Sequence, residues 1–240
     1  MKKITLKDKL LITGIVSIPI IAIVLAITTY SLIFRSSGST TLSIVVLVFI
    51  IVFALVFEVL KKKKDRKEKA NFWEIGEMTF PAYREEFCDF YKSYLGGPKM
   101  FVTRHARLLK DADSFAPKKL KPIDIFYLFA DSKKLVKVVD WRGEENKGEI
   151  EEFIDQLLTR ENTWTNVSKL RVCLNAENRS GNFIVDLFKA VDIDLKVIGR
   201  RLVFFELGGD AYVYTVIDSK TASQVIKQSG GALYGVEKLH

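Results

Sequence analysis

Two apolar runs, Leu10–Phe34 and Leu42–Leu60, stand near the start of this 240-residue chain and constrain its fold more than any other feature. The first carries no charged residue over 25 positions, and as a helix it would extend roughly 37 Å, enough to span a bilayer with tilt. The second, about 28 Å long as a helix, is interrupted only by Glu58 near its end, where a carboxylate reaches the headgroups. Residues 35–41 between them are too few to form a domain, so the expectation is a transmembrane hairpin of two helices, 10–34 and 42–60. A cleaved signal peptide is a poor reading of the first run, which continues well past the 7–15 residues of such an apolar region.

The flanks predict the orientation. Lys2, Lys3, Lys7 and Lys9 against Asp8 give residues 1–9 a charge of +3. The run from Lys61 sets Lys61, Lys62, Lys63, Lys64, Arg66, Lys67 and Lys69 against Asp65 and Glu68, for +5. Arg35 alone marks the loop, so both termini are expected to be cytoplasmic, in a two-span protein of the plasma membrane. The same seven basic residues are expected to lie at the membrane surface, with the lipid bilayer and its anionic headgroups as partners. No charge falls in mid-span, which argues against a transporter, a channel or a proton relay.

Basicity ordinarily raises nucleic acid as a partner. Of the chain's 37 basic and 29 acidic side chains, the flanks, Arg35 and Glu58 hold twelve and four, leaving 25 of each in residues 70–240. The net charge of +8 therefore belongs to the flanks, and no nucleic acid is expected. Cys88 and Cys173 are expected as free, buried thiols.

Beyond a basic linker, 61–72, residues 73–240 are read as a cytosolic α+β domain with a small, mainly antiparallel sheet covered by helices. Helices are predicted from Pro81 to Gly96, from Pro122 to Ala130, over Lys147–Arg160 and over Ser180–Ile198, the last on apolar residues recurring every three and four positions. Leu135–Trp141 reads as a strand, Leu170–Leu174 as another, and Lys99–Pro117 is undecided between strand and helix. Arg200–Leu207 and Ala211–Ile217, joined by Gly208-Gly209-Asp210, predict an antiparallel hairpin, after which Ser219 is expected to cap a last helix.

The string Val139-Asp140-Trp141-Arg142-Gly143-Glu144-Glu145 and the hairpin Leu202–Val216 resemble an uncharacterised bacterial family of small α+β domains. In that family a strand ends in Asp-Trp-Lys, and a later hairpin has a Gly-Ser-Asp turn before Tyr. Arg142 and Gly209 depart from that pattern. The resemblance implies the fold and no catalytic role; similar small domains are often immunity or toxin-associated proteins.

His105 and the terminal His240 are the only histidines, and no Cys/His spacing suits zinc, so neither a catalytic set nor a cofactor is expected. The candidate binding surface is Asp140, Trp141, Arg142, Glu144 and Glu145 at one strand end, with Asp210 and Tyr212 at the hairpin. These residues predict a binding domain that acts through contact with a partner protein, in an immunity-type or regulatory role. Two alternatives stand beside it: a metal-dependent hydrolase, should Asp140, Glu144, Glu145 and Asp210 converge on a divalent ion, and a structural subunit of a membrane complex.

Overall fold

A computed structural model describes residues 40–111, 120–173 and 181–239. The chain divides into two compact units, Met1–Arg66 and Lys67–His240. The first element, α1, is one helix over Thr40–Thr79.

That helix corrects the reading of the N-terminal third. The expected second span does not stop at Leu60: the same helix continues through the basic run, with Glu58 already paired to Lys62 at 2.8 Å, and ends on apolar residues that belong to the second unit. Among the described residues no helix is long and apolar enough to cross a membrane. The transmembrane hairpin, and with it the two-span placement in the plasma membrane, is therefore not supported. The first expected span, residues 1–9 and most of the loop lie outside the described residues.

The second unit is built on a sheet of four strands in the order β1-β3-β2-β4, with every pairing antiparallel. After a short 3-10 turn at Pro81–Tyr83 come α2 (Arg84–Leu95), α3 (Pro98–Arg104) and α4 (Ala106–Asp111), which make the undecided stretch helical up to residue 111. Next are α5 (Pro122–Ser132), β1 (Lys137–Asp140), α6 (Glu149–Leu158), α7 (Thr165–Cys173) and α8 (Gly181–Val197). The chain closes with β2 (Arg200–Phe205), β3 (Ala211–Asp218), α9 (Ser219–Gln228) and β4 (Leu233–Tyr234).

Alternation along the central strands sends side chains into two cores, as the period of two in a strand requires. Val203, Phe205, Val213 and Ile217 enter the first, with Phe72 and Ile75 of α1, Phe87 of α2, Phe126 and Phe129 of α5, and Val225 of α9. Leu202, Phe204, Tyr214 and Val216 enter the second, with Ile150 and Ile154 of α6, Val167 of α7, and Ile184, Phe188 and Val191 of α8. The sheet is thus covered on both faces, and β2 is buried along its last four residues.

Three local expectations change. The stretch Leu170–Leu174, read as a strand, is the end of helix α7 up to Cys173. The cap of α9 is Asp218, whose carboxylate accepts the Thr221 N–H at 2.9 Å, and Ser219 is the first helical residue. The β2–β3 ladder ends at Phe204 and β2 itself at Phe205, so Glu206 and Leu207 belong to the connection and not to the strand.

Gly76 fixes how closely α1 and α2 approach. A Cβ there would lie 1.9 Å from a ring carbon of Phe87, which is fully buried and packed against the rings of Tyr91, Phe126 and Phe129. Gly76→Ala gains about 1 kcal/mol of helix propensity but overpacks a ring that cannot retreat. A net loss of about 1–3 kcal/mol is expected in urea denaturation, partly restored by adding Phe87→Leu; an unchanged or raised midpoint for Gly76→Ala would refute the close approach.

Candidate functional site

One end of the sheet gathers the chain's chemistry-bearing strand ends. In the β1–β3 register Asp140 lies opposite Ala211 and Val139 opposite Tyr212, so the end of β1 and the start of β3 lie side by side. On the far side of β2, Phe204 pairs with Tyr234 and Phe205 with Leu233, and the Glu206 N–H extends the ladder to the Ala232 carbonyl at 2.9 Å. The connection from Glu206 to Asp210 crosses this end, with Gly208 at φ +77°, a conformation that favours glycine.

The result is a recess of about 510 Å³ whose lining includes Trp141, Glu206, Asp210, Tyr212 and Tyr234. Its aromatic residues are held from below. The Tyr234 ring stacks on Phe204 at 5.6 Å, and the Tyr212 ring meets Phe188 edge-on at 5.4 Å. Burial, then the nearby Glu206 carboxylate and Tyr212, push the Tyr234 phenol up to about 12, so it remains a neutral hydrogen-bond donor. Trp141 is 47% exposed at the rim, and the Arg142 guanidinium lies 5.6 Å from the centre of its ring.

The structure thus brings together three of the seven sequence-selected residues, Trp141, Asp210 and Tyr212, as lining of one recess. Asp140 and Arg142 adjoin it. The Asp140 carboxylate accepts the Arg142 N–H at 2.8 Å and lies 3.6 Å from the Arg142 Nε, so it serves its own turn.

Glu144 goes elsewhere. It is 6% exposed, accepts the Ile150 N–H at 3.2 Å at the start of α6, and pairs with Arg171 of α7 at 2.8 Å. Burial pushes its carboxyl up, against the lowering hydrogen bond from Arg171. Glu145 lies on the exposed approach to α6, where its N–H donates to Glu149 at 3.2 Å. The acids do not converge: among the described residues no group of three His, Cys, Asp or Glu side chains is placed to hold a metal ion.

Lys61, Lys62, Lys63, Lys64, Arg66 and Lys67 are exposed along α1. Lys69 is half-buried, its ammonium 4.9 Å from the centre of the Tyr94 ring and its carbonyl accepting the Tyr91 hydroxyl, so it packs with the second unit. His105 is half-buried between the rings of Phe90 and Phe101, with Nε2 3.1 Å from Ser93 Oγ; burial, then Arg104, lower its basicity. Cys88 is buried as expected, but Cys173 is exposed, and both are free.

Glu206 and Tyr234 were not visible from sequence. Glu206 read as strand, and Tyr234 sits in a strand of two residues between Gly231 and Gly235, too short to give a period.

No curated protein and no solved structure matches the chain significantly. A family match covers most of the second unit, including every lining residue of the recess, and agrees with the expectation of an uncharacterised family. Matching over residues 71–239, the chain belongs to the family described as Domain of unknown function (DUF6630).

Proposed function

We propose that the Lys67–His240 unit is a binding module that engages a partner protein at the recess where β1, the β2–β3 connection and β4 meet. The observation that carries this reading is the composition of the recess: exposed Trp141 and half-buried Tyr212 and Tyr234 beside two carboxylates, on strands held between two cores. Aromatic side chains on a rigid support make strong contacts at little entropic cost. The role we infer is regulatory or immunity-type, exercised by occupying the partner.

Binding is tested with a photoreactive phenylalanine analogue at Ala211 of the full chain, crosslinked in its native cells. A discrete adduct is expected, and Trp141→Ala or Tyr234→Ala should each weaken capture about 30-fold, the loss typical of an aromatic anchor worth ~2 kcal/mol. Adducts of equal yield with and without Trp141 and Tyr234, or none at all, would overturn the reading.

A further inference from the structure

The recess is acidic as well as aromatic, and that combination selects its ligand. We infer that the group it takes from the partner is a cation, a protonated lysine or arginine side chain, held over the rings of Trp141, Tyr212 and Tyr234 and paired with Glu206 and Asp210. This rests on the binding reading above and specifies its chemistry.

Three observations favour it. The described lining carries two carboxylates and no basic residue, and the adjoining Arg142 is offset by Asp140 at 3.6 Å, so the field attracts cations and repels acidic or phosphorylated groups. The rim already shows the contact in miniature: the Arg142 guanidinium lies 5.6 Å from the centre of the Trp141 ring, within the range at which a ring face attracts a cation. The ring of Tyr234 is fixed by stacking on Phe204 at 5.6 Å, so its face is presented without reordering when a ligand arrives. A guanidinium or ammonium carried on an alkyl stem suits such a site, since the stem packs on the rings while the charged head reaches the carboxylates.

The test uses the full chain labelled with 5-fluorotryptophan, whose three resonances are assigned through Trp73→Phe, Trp141→Phe and Trp164→Phe. The probes are the acetyl methylamides of arginine, lysine, norleucine and glutamate. The Trp141 resonance is expected to shift saturably with the arginine and lysine probes, and at least tenfold more weakly with norleucine or glutamate. In Glu206→Gln/Asp210→Asn the arginine response should weaken about tenfold, while the Trp73 and Trp164 resonances stay in place and report an intact fold.

Saturation by glutamate or norleucine as strong as by arginine would overturn the inference while leaving the recess a binding site. An undiminished arginine response in the double variant would overturn it as well. No saturable shift with any probe would also overturn it, and the crosslink at Ala211 then decides separately whether a partner binds there.

Discussion

Asp192→Ala is expected to lower the stability of the full chain by about 3–5 kcal/mol, in the range found when one partner of a buried ion pair is removed. The carboxylate on α8 is fully buried and meets Arg201 Nε at 2.9 Å, the Leu202 N–H at 3.0 Å and Lys196 Nζ at 3.0 Å. Its position explains the number of partners. β4 pairs with β2 only at Phe204 and Phe205, so at Leu202 the strand has no neighbour on that side, and Asp192 supplies the acceptor instead. Truncation to alanine leaves a buried N–H without an acceptor and leaves Arg201 with Glu237, 3.3 Å away at the surface, as its remaining partner. Asp192→Asn keeps an oxygen for Leu202 and should cost roughly half as much. Thermal unfolding should show the alanine variant lower by roughly 6–20 °C. A loss below about 1 kcal/mol in denaturant titration would mean that Asp192 does not tie α8 to β2.

What could be read from sequence follows how local its causes are. β2 and β3 were visible because β-branched and aromatic residues flank two adjacent glycines, and α8 because Phe183, Ile184, Leu187, Phe188, Val191 and Leu195 repeat with the helical period. α7 was not visible. Its sequence gives no clear periodicity, and its helical form is fixed from a distance: the Asp194 carboxylate on α8 accepts the N–H groups of Asn166 and Val167 at 2.9 and 3.2 Å, capping α7 from another element.

The packing of the last turns of α1 hid for a different reason. Phe72, Ile75 and Met78 recur at helical spacing and enter the first core, but they follow the run Lys61–Lys69, whose charge suggested a solvated linker. At the candidate site, Trp141, Asp210 and Tyr212 were legible because strand ends next to turns are where aromatic and acidic side chains become exposed. Glu206 and Tyr234 reach the same place only through the β2–β4 pairing, which no local pattern announces.

Glu144 is the sharpest case of a distant cause, and Arg171→Met tests it. In sequence Glu144 is one more acid in a polar turn; in the fold it shares the Arg171 guanidinium with Glu151 at 2.8 and 2.7 Å, tying α6 to α7. Burial would lower the Arg171 pKa, but its bonds to Glu151 and then Glu144 raise it, so it stays charged. Around it stand Glu149, 3.6 Å from Lys137, and the buried hydroxyl of Tyr214, which burial and these carboxylates keep protonated. Removing the guanidinium strands two carboxylates, and the expected loss is about 3–5 kcal/mol at pH 7.5.

That loss depends on pH, with a fixed sign. Burial holds the folded Glu144 carboxyl above its unfolded value, so its contribution to stability is full below the unfolded value and is lost as pH rises through the folded one. Arg171 opposes that rise, and without it the folded value climbs further. The penalty of Arg171→Met should therefore shrink as pH falls from 7.5 towards 5, because uptake of a proton by the buried Glu144 carboxyl becomes easier. In Arg171→Met/Glu144→Gln the amide still accepts the Ile150 N–H and cannot ionise, so part of the stability should return and most of the pH dependence disappear. Equal penalties at pH 7.5 and pH 5 in denaturant titrations would show that the charge of Glu144 is not what Arg171 balances.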